Sequence, residues 1–378
     1  MTARETTTAG LYLHIPFCKT RCAYCDFFSV TDTDLIDAFV RALLREMVAY
    51  SEEFREFDTV YIGGGTPSLL SLRQVEMILE RVHRVFSILP GAEVTMEINP
   101  ADWGREHLSM ARELGINRIS IGVQSFDDRE LSLLGRRHSR KQAVRTLKDA
   151  AAAGFDNLSL DLMYGLPGQS CHQWEASLVQ ALDFGPTHLS CYELEIKGLT
   201  PLGRRIERGE LPLRTEDDQR AFFMRTSEFL EDSGFVHYEI SNFAKGMDRA
   251  SRHNQKYWDH TPYLGIGPSA HSFREVRRWW NHASVTAYVR DLDAGKRPVS
   301  GMEELSTEQL VLEALFLGLR TKGGIDLGRF RCRYGCNLME EKGPELEELC
   351  RAGLIEIEGE IIRPTRSGMA VADSLALL

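Results

Sequence analysis

The segment HIPFCKTRCAYCDFF, residues 14–28, places three cysteines within eight positions, at Cys18, Cys22 and Cys25. Thiolates are soft ligands that suit iron–sulfur clusters and zinc. A structural zinc site takes four protein ligands, whereas this segment offers three. Three thiolates on a four-iron cubane leave one iron open to a ligand that is not protein. The C-x3-C-x2-C spacing therefore favours a 4Fe-4S cluster with an open iron, and unligated cysteines in a loop are the alternative.

Six short β-rich runs alternate with amphipathic segments of helical length along the first two hundred residues. The runs are LYLHIPF (11–17), TVYIGGG (59–65), EVTMEIN (93–99), RISIGV (118–123), NLSLDLMYGL (157–166) and HLSCYELEI (188–196). This alternation predicts parallel βα units. Six successive units indicate an α/β fold with a full or partial (βα) barrel rather than an open doubly wound sheet. In such a barrel the functional residues lie at the carboxyl ends of the strands.

Unusual residues follow the strands where a barrel would place its site. GGGTP (63–67) comes after the second run, Glu97 ends the third, Gln124 follows the fourth and Asp161 lies in the fifth. Glycines let the backbone approach a ligand closely. Arg136, in LGRRH, adds a cation. Each residue alone is typical of a protein surface, but together they predict one pocket at the barrel rim.

The length of 378 residues predicts two or three domains. We expect a βα barrel core over 1–200, an extension of the barrel over 201–300 and a winged-helix-like domain over 301–378. In the last part, helical patterns are followed by a hairpin that turns at Gly359. This part contains nine basic and fourteen acidic residues, which makes DNA binding an unfavourable interpretation.

Composition and charge limit the class of protein. The chain is 43% hydrophobic and 26% charged, as in a soluble globular protein, and its net charge of −10 argues against nucleic acid as a partner. Residues 1–10 lack the apolar core of a signal peptide, and no run of eighteen apolar residues follows. We expect a cytoplasmic protein with at most peripheral membrane contact. Clustered cysteines in that compartment more often hold metal than form disulfides.

Five motifs in fixed order give a resemblance to a known family. They are YLHIPFC, GGGTPS, EINP, GVQSF and DLMYGLPGQ. In this order they resemble the oxygen-independent coproporphyrinogen III oxidase family of the radical S-adenosylmethionine (SAM) superfamily, over roughly residues 11–270. The resemblance implies that SAM binds the open iron of the cluster. Carried over by motif, the SAM contacts would be Tyr12, Gly64, Gly65, Thr66, Glu97, Gln124, Arg136 and Asp161. Tyr12 is equally typical of a core residue of the first strand.

Two departures and one further motif direct the resemblance to one branch of this family. The oxidases continue the cysteine motif to a fourth cysteine, where this chain has Phe27, and they carry a longer segment before the first strand. In addition, HNQKYW (253–258) fits the H-N-x-x-Y-W signature of the HemW-type haem chaperones. This resemblance implies haem binding by His253, Asn254, Tyr257 and Trp258. A neutral imidazole suits haem iron, so His253 is the expected axial ligand, and a surface histidine is the alternative.

The sequence leads to a haem carrier as the main hypothesis. It would bind a 4Fe-4S cluster, S-adenosyl-L-methionine and haem, and deliver haem to an acceptor haem protein such as a respiratory enzyme, by resemblance. The alternative is an oxygen-independent coproporphyrinogen III oxidase, a radical enzyme that oxidatively decarboxylates propionate groups. A winged-helix regulator that senses iron is disfavoured by the acidic last domain. Whether SAM is consumed or only bound stays open at this point.

Overall fold

The computed structural model describes residues 7–375. Its strands are β1 (Ala9–Ile15), β2 (Glu56–Gly64), β3 (Ser87–Ile98), β4 (Arg118–Gln124), β5 (Leu158–Tyr164), β6 (His188–Glu193), β7 (Val236–Glu239), β8 (Asn242–Ala244), β9 (Tyr263–Ile266), β10 (His271–Arg274), β11 (Arg277–Asn281), β12 (Val299–Glu304), β13 (Ile325–Asp326), β14 (Ile355–Glu358) and β15 (Ile361–Pro364).

The α-helices alternate with the first six strands and then gather towards the end of the chain. They are α1 (Ile36–Ala49), α2 (Leu72–Val85), α3 (Arg105–Glu113), α4 (Asp128–Leu133), α5 (Arg140–Ala152), α6 (Cys171–Leu182), α7 (Pro201–Glu207), α8 (Glu216–Asp232), α9 (Arg252–Trp258), α10 (Val285–Asp293), α11 (Thr307–Gly318), α12 (Leu327–Tyr334), α13 (Leu338–Arg351), α14 (Arg366–Met369) and α15 (Ala372–Leu375). Short 3-10 turns lie at Thr33–Leu35, Pro67–Leu69 and Met247–Arg249.

The first six strands lie side by side in chain order, and every neighbouring pair is parallel. The predicted βα units are therefore confirmed. β9 extends the sheet by pairing parallel to β1, and β10, β11 and β12 continue it as an antiparallel extension. β8 and β7 follow β6 at the other side. Among residues 7–375 the two edge strands, β12 and β7, do not pair with each other, so the barrel is partial.

Alternation along each parallel strand separates an apolar layer from a polar barrel interior. In β4, Ile119, Ile121 and Val123 are completely buried in the main hydrophobic core. Burial of each such side chain contributes about 1.5–3 kcal/mol. Ser120 and Gln124 of the same strand point to the opposite face because successive side chains alternate. Polar groups are thereby collected inside the barrel, where a ligand can reach them.

The outer helices begin at sequence-encoded caps. At α2, Ser71 accepts a hydrogen bond from the Gln74 backbone N–H while the Gln74 side chain accepts from the Ser71 N–H. Such a reciprocal capping box satisfies two backbone donors, and its loss costs about 1 kcal/mol. The same Ser and Gln spacing starts α5, α6 and α11. These caps fix where each helix begins after the loop that contributes to the site.

The last part of the chain forms a small module with its own core. Helices α11, α12 and α13 are followed by the β14–β15 hairpin, and β13 completes a three-stranded sheet in the order β13-β15-β14. The hairpin turns at Gly359, whose φ is +60°, as predicted. The predicted helical stretch around 324–350 is divided into α12 and α13 at Gly335, which has a left-handed backbone. The winged-helix-like prediction is confirmed, whereas the domain limits at 200 and 300 stay a prediction.

No helix between residues 7 and 375 is both long enough and apolar enough to cross a lipid bilayer.

Candidate functional site

A cavity of about 460 Å³ opens at the carboxyl ends of β1–β6. All three cysteines of the opening motif line it, and so do all eight residues expected to contact SAM. These residues are Cys18, Cys22, Cys25, Tyr12, Gly64, Gly65, Thr66, Glu97, Gln124, Arg136 and Asp161. The structure therefore brings together residues that span about 150 positions of sequence. Their common location follows from the parallel strands, which all end at the same rim.

The cysteine loop is held to the barrel by backbone hydrogen bonds. The Val30 N–H donates to Pro16 O at 2.7 Å and the Cys18 N–H donates to Val30 O at 2.9 Å, which closes the base of the loop. The Ala23 N–H donates to Leu134 O at 2.9 Å, at the end of α4. The three cysteines are unpaired and partly exposed. The loop thus presents three thiols from a fixed backbone.

The thiols are not arranged around one ion. Between residues 7 and 375, no three His, Cys, Asp or Glu side chains lie close enough together to share a single metal ion. Thiolates that ligate a cubane bind different irons, so they stand farther apart than ligands of one zinc ion. The three cysteines line one cavity without forming such a group among the described residues.

Glycines after β2 form a cradle against the cysteine loop. The Gly65 N–H donates to Ile15 O at 2.8 Å. A Cβ on Gly65 would lie 2.7 Å from Phe17 O and 3.0 Å from Cys18 Sγ, closer than real contacts allow. Gly64 has a φ of +114°, which side chains rarely adopt, and a Cβ there would meet the His14 ring at 2.8 Å. Both positions require glycine, as the motif predicted.

Glu97 is the acceptor beside this cradle. Its carboxylate accepts hydrogen bonds from Tyr61 Oη at 2.8 Å and from the Gly64 N–H at 3.2 Å. Burial, with a smaller effect of the Asp161 charge, raises the pKa of Glu97 to about 7. The sequence interpretation missed Tyr61. Its signal was available, because Tyr61 lies two positions before Gly63 on the inward face of β2.

Gln124 and Arg136 hold polar atoms that lack a partner in the protein. Gln124 has a φ of +64°, next to an irregularity in the β4–β5 register, and its buried Oε1 has no hydrogen-bond partner among residues 7–375. Arg136 donates to Gly122 O at 2.6 Å, to Cys22 Sγ at 3.6 Å and to Asn99, while its Nε lacks a partner within the same described range. Backbone strain and unpaired buried polar groups are concentrated at ligand sites. The donor and acceptor set suits a polar, charged ligand.

Tyr12 and Thr66 support the rim on the side of β1. His14 Nε2 donates to Phe28 O at 3.0 Å, so Nδ1 accepts from Tyr12 Oη at 3.0 Å. Burial lowers the pKa of His14 to about 4, which keeps the ring neutral and fixes this tautomer. Thr66 Oγ1 donates to Cys18 Sγ at 3.5 Å. Both predicted residues therefore orient the loop and face the cavity.

Asp161 lies across the barrel interior from these residues. It is buried, and it accepts a hydrogen bond from Ser120 Oγ at 3.0 Å. Burial raises its pKa. Asp161 and Glu97 place two carboxyl groups in the polar barrel interior, and the buried Arg118 acts on both. The interior thus holds two buried carboxyl groups near one buried cation.

The residues expected to bind haem do not lie in this cavity. His253 is 1% exposed, with its Nδ1 2.9 Å from Thr59 Oγ1 and its Nε2 2.9 Å from Tyr257 Oη. Burial lowers the pKa of His253 to about 3. Asn254 and Trp258 are partly exposed on α9. Only Tyr257 of the four lines a cavity, a second one formed by residues that the sequence interpretation missed.

Comparison with known proteins places the chain in a family. A family model described as the radical SAM superfamily matches residues 12–180, and a model of the HemN C-terminal domain matches residues 305–371. The protein "Heme chaperone HemW" of Synechocystis is 38% identical over 324 residues, which cover 83% of this chain and 78% of the relative. The chain belongs to the HemW family. The HemW protein of Bacillus subtilis is 35% identical over 96% of this chain and 97% of its own length.

The fold of this HemW-family chain is shared with a solved enzyme. The Escherichia coli structure titled as the radical SAM coproporphyrinogen III oxidase HemN matches with a TM-score of 0.86 at 22% identity, covering 99% of this chain and 91% of that one. At this identity the match concerns the fold alone. The predicted family is confirmed. Membership of the radical SAM superfamily implies a 4Fe-4S cluster and SAM, and the open cradle and unpaired polar atoms described above fit that pair.

Proposed function

We propose that this protein is a haem chaperone that binds haem and delivers it to an acceptor haem protein. One observation carries the proposal: relatives named as haem chaperones align over 83–96% of the chain at 33–38% identity. The acidic net charge of −10 makes nucleic acid an unsuitable partner. We further propose a cytoplasmic location and acceptors among the respiratory enzymes.

We propose that Cys18, Cys22 and Cys25 hold the 4Fe-4S cluster. When bound, such a cluster supplies an electron and an open iron for SAM. The protein contributes the shape and charge of the cavity around it. Thr66 and Arg136 donate hydrogen bonds to the sulfurs of Cys18 and Cys22, which orients these two side chains.

We propose that the remaining polar groups of the cavity bind SAM. The Gly64 and Gly65 backbone would lie against its methionine portion, since any Cβ there would be obstructed. Arg136 would pair with the carboxylate of SAM, since its Nε has no hydrogen-bond partner among residues 7–375. Glu97, Gln124 and Asp161 provide acceptors for hydroxyl or ammonium groups. Tyr12 would pack beside them, held by His14.

The haem-binding proposal for HNQKYW rests on the motif. His253 would have to exchange one of its two hydrogen bonds, to Thr59 or to Tyr257, for an iron bond, because both ring nitrogens are engaged. Asn254, Tyr257 and Trp258 would contact the macrocycle beside it. The role of each of these four residues stays a prediction.

Oxygen-independent coproporphyrinogen III oxidase activity is the second candidate. The cavity favours it, because all eleven residues expected to hold the cluster and SAM line one space. Phe27 argues against it: this side chain is 69% exposed at the cavity, at the position where the oxidase motif has its fourth cysteine.

Anaerobically reconstituted protein tests both candidates. Titration with haem, followed by Soret absorbance, should saturate at one haem per chain, and the bound haem should pass to an apo-globin mixed with the complex. A Cys18→Ser, Cys22→Ser, Cys25→Ser variant controls for the contribution of the cluster. In a parallel assay, reductant, SAM and coproporphyrinogen III should give no protoporphyrinogen. Turnover in that assay, or the absence of saturable haem uptake, contradicts the proposal.

A further inference from the structure

Helix α9, which carries the proposed haem-binding residues, is closed against the barrel in this structure. The backbone N–H groups of Arg252 and His253 both donate to the Glu93 carboxylate of β3, at 3.2 and 3.1 Å. Lys256 forms an ion pair with Asp58 at 2.7 Å. The His253 side chain is buried. A haem macrocycle cannot reach an imidazole in that position, so ligand binding by this helix requires the helix to move.

The turn that follows α9 is held by the C-terminal module. His260 lies two residues beyond the helix, and its φ of +56° is a left-handed conformation that residues other than glycine seldom adopt. Such a conformation persists only where the surrounding structure holds it. His260 is buried, with Nδ1 2.9 Å from Tyr334 Oη on α12 and Nε2 3.0 Å from Glu313 Oε2 on α11. Two helices of the module therefore hold one side chain of the turn.

Arg333 of α12 holds the backbone of the same turn. Its guanidinium donates to Asp259 O at 2.6 Å and to His260 O at 2.7 Å. Asp259 is the residue at which α9 ends. Two contacts to the His260 ring and two to the backbone thus tie the carboxyl end of α9 to the C-terminal module. We call these four hydrogen bonds the latch.

Glu313 is the charged member of the latch. Its hydrogen bond with His260, together with the Arg278 guanidinium, lowers the pKa of Glu313 to about 2. Arg278 of β11 donates to both carboxylate oxygens, at 2.7 and 2.6 Å. Hydrogen bonds to an ionised group are stronger than neutral ones. The carboxylate that holds His260 is therefore itself fixed to the extended sheet.

A second cavity, of about 500 Å³, lies beside the latch. Tyr257, His260 and Glu313 line it. The side chain of Tyr257, whose hydroxyl is 2.9 Å from His253 Nε2, thus borders open space. This space gives α9 room to turn when the latch is released.

We propose that the C-terminal module latches α9 closed through His260, and that haem binds to the helix once this latch is released. His260 is a positioning residue that does not touch haem. The inference rests on the proposed function, because it takes haem as the ligand. When only the open molecules can bind, the apparent affinity is reduced by the open fraction. Weakening the latch therefore strengthens haem binding, whereas loss of a residue that contacts haem weakens it.

Haem titration of anaerobically reconstituted variants tests this expectation. Tyr334→Phe removes one hydroxyl from the latch and keeps the ring that packs on Phe330. Its haem Kd should be about 2- to 12-fold lower than that of the wild type, the effect of one hydrogen bond. Arg333→Met removes two hydrogen bonds and should lower the Kd roughly 5- to 150-fold. Arg331→Met, at an exposed position on the same helix, is the matched control and should keep the wild-type Kd.

Amide hydrogen exchange, measured without haem, reports the latch directly. The amides of α9 should exchange faster in Tyr334→Phe and Arg333→Met, by about the same factors as the Kd falls. The β14–β15 hairpin should keep its wild-type protection, which shows that the module stays folded. In a His260→Ala background Tyr334→Phe should cause no further change, because the partner of the hydroxyl is already absent.

The outcomes distinguish the latch from the function on which the inference rests. Unchanged exchange of α9 in both latch variants overturns the latch, whatever the haem affinity. Faster exchange with a wild-type or higher haem Kd also overturns the inference, since opening of α9 would then not limit haem binding. A wild-type chain that takes up no haem overturns the proposed function and the haem step of the inference, while faster exchange in the variants would still support the latch.

Discussion

Substitution of Gly65 by alanine tests whether the glycine cradle holds the cysteine loop in place. The new Cβ would lie 2.7 Å from Phe17 O, 3.0 Å from Cys18 Sγ and 3.1 Å from Ile15 O. Ordinary contact between such atoms is about 3.5 Å, so a gap of about 0.8 Å must be opened. Ile15 and Phe17 are completely buried and cannot yield without displacing the core. The φ of Gly65 is not positive, so contact rather than torsion sets the cost.

We expect Gly65→Ala to lose about 1–3 kcal/mol of unfolding free energy, the usual cost of overpacking a well-packed site. The displacement also acts on Cys18, so iron and sulfide per chain after anaerobic reconstitution should fall well below the wild-type value. Denaturant titration of the apo-protein gives the first quantity, and elemental analysis with EPR of the reduced protein gives the second.

Gly323→Ala is the matched control for this substitution. Gly323 is exposed, its φ is not positive, and the nearest atom to its Cβ position is 3.9 Å away. Its unfolding free energy should change by less than about 0.5 kcal/mol, with normal iron content. Gly65→Ala with wild-type iron and an unchanged unfolding midpoint would refute the reasoning about the cradle.

Three further substitutions test the core, the C-terminal module and the cluster motif. Burial raises the pKa of Glu46 from 4.5 to about 7. Its protonated form therefore contributes about 3 kcal/mol of stability, which is present below pH 4.5 and is lost as the pH rises through 7. Denaturant titrations from about pH 4.5 to 8 should show this loss in the wild type but not in Glu46→Gln. Gly324→Ala would place a Cβ 1.9 Å from Ile362 O at a φ of +67°, so limited proteolysis should cleave the C-terminal module while iron content stays normal. Phe27→Cys should leave iron per chain unchanged, because three thiolates suffice, and should alter stability by less than about 0.5 kcal/mol since Phe27 is exposed. For Glu46→Gln, a pH profile like that of the wild type would contradict the expectation. For Gly324→Ala the contrary result is a C-terminal module that resists the protease, and for Phe27→Cys it is a rise in iron per chain.

The parallel part of the sheet could be predicted because its strands carry apolar side chains towards the helices and are bounded by turn residues. Apolar, β-branched runs such as RISIGV predict strands even when the neighbouring strands in the sheet are not known. Parallel strands that follow each other in sequence pair in that order, so the rim where Glu97 and Gln124 meet followed from topology. Predicted site residues such as Gly64, Glu97 and Gln124 were found for the same reason, since each lies near the end of a recognisable strand, whereas Arg136 follows α4 and came from its motif.

The extension of the sheet by β9–β12 could not be predicted because its pairings join distant or very short segments. β9 has four residues, and its register with β1 joins Gly10 to Tyr263. No local periodicity reveals such a contact. The second cavity depends on this pairing, so the sequence interpretation missed it. The HNQKYW motif predicted a histidine ligand at His253. It could not show that this side chain is buried, because the burial depends on Thr59 of β2, almost two hundred positions earlier in the chain.

The place of β1 in the sheet has a consequence for synthesis of the chain. β1 finds its first neighbour at residues 56–64, but its other side is paired by β9, at residues 263–266. At about 5–20 residues per second, a ribosome needs roughly 10 to 50 seconds to supply that second neighbour. During this interval an apolar strand presents unsatisfied backbone groups to other nascent chains, a known hazard for aggregation. Slower initiation should therefore raise the yield of folded protein more than added iron does.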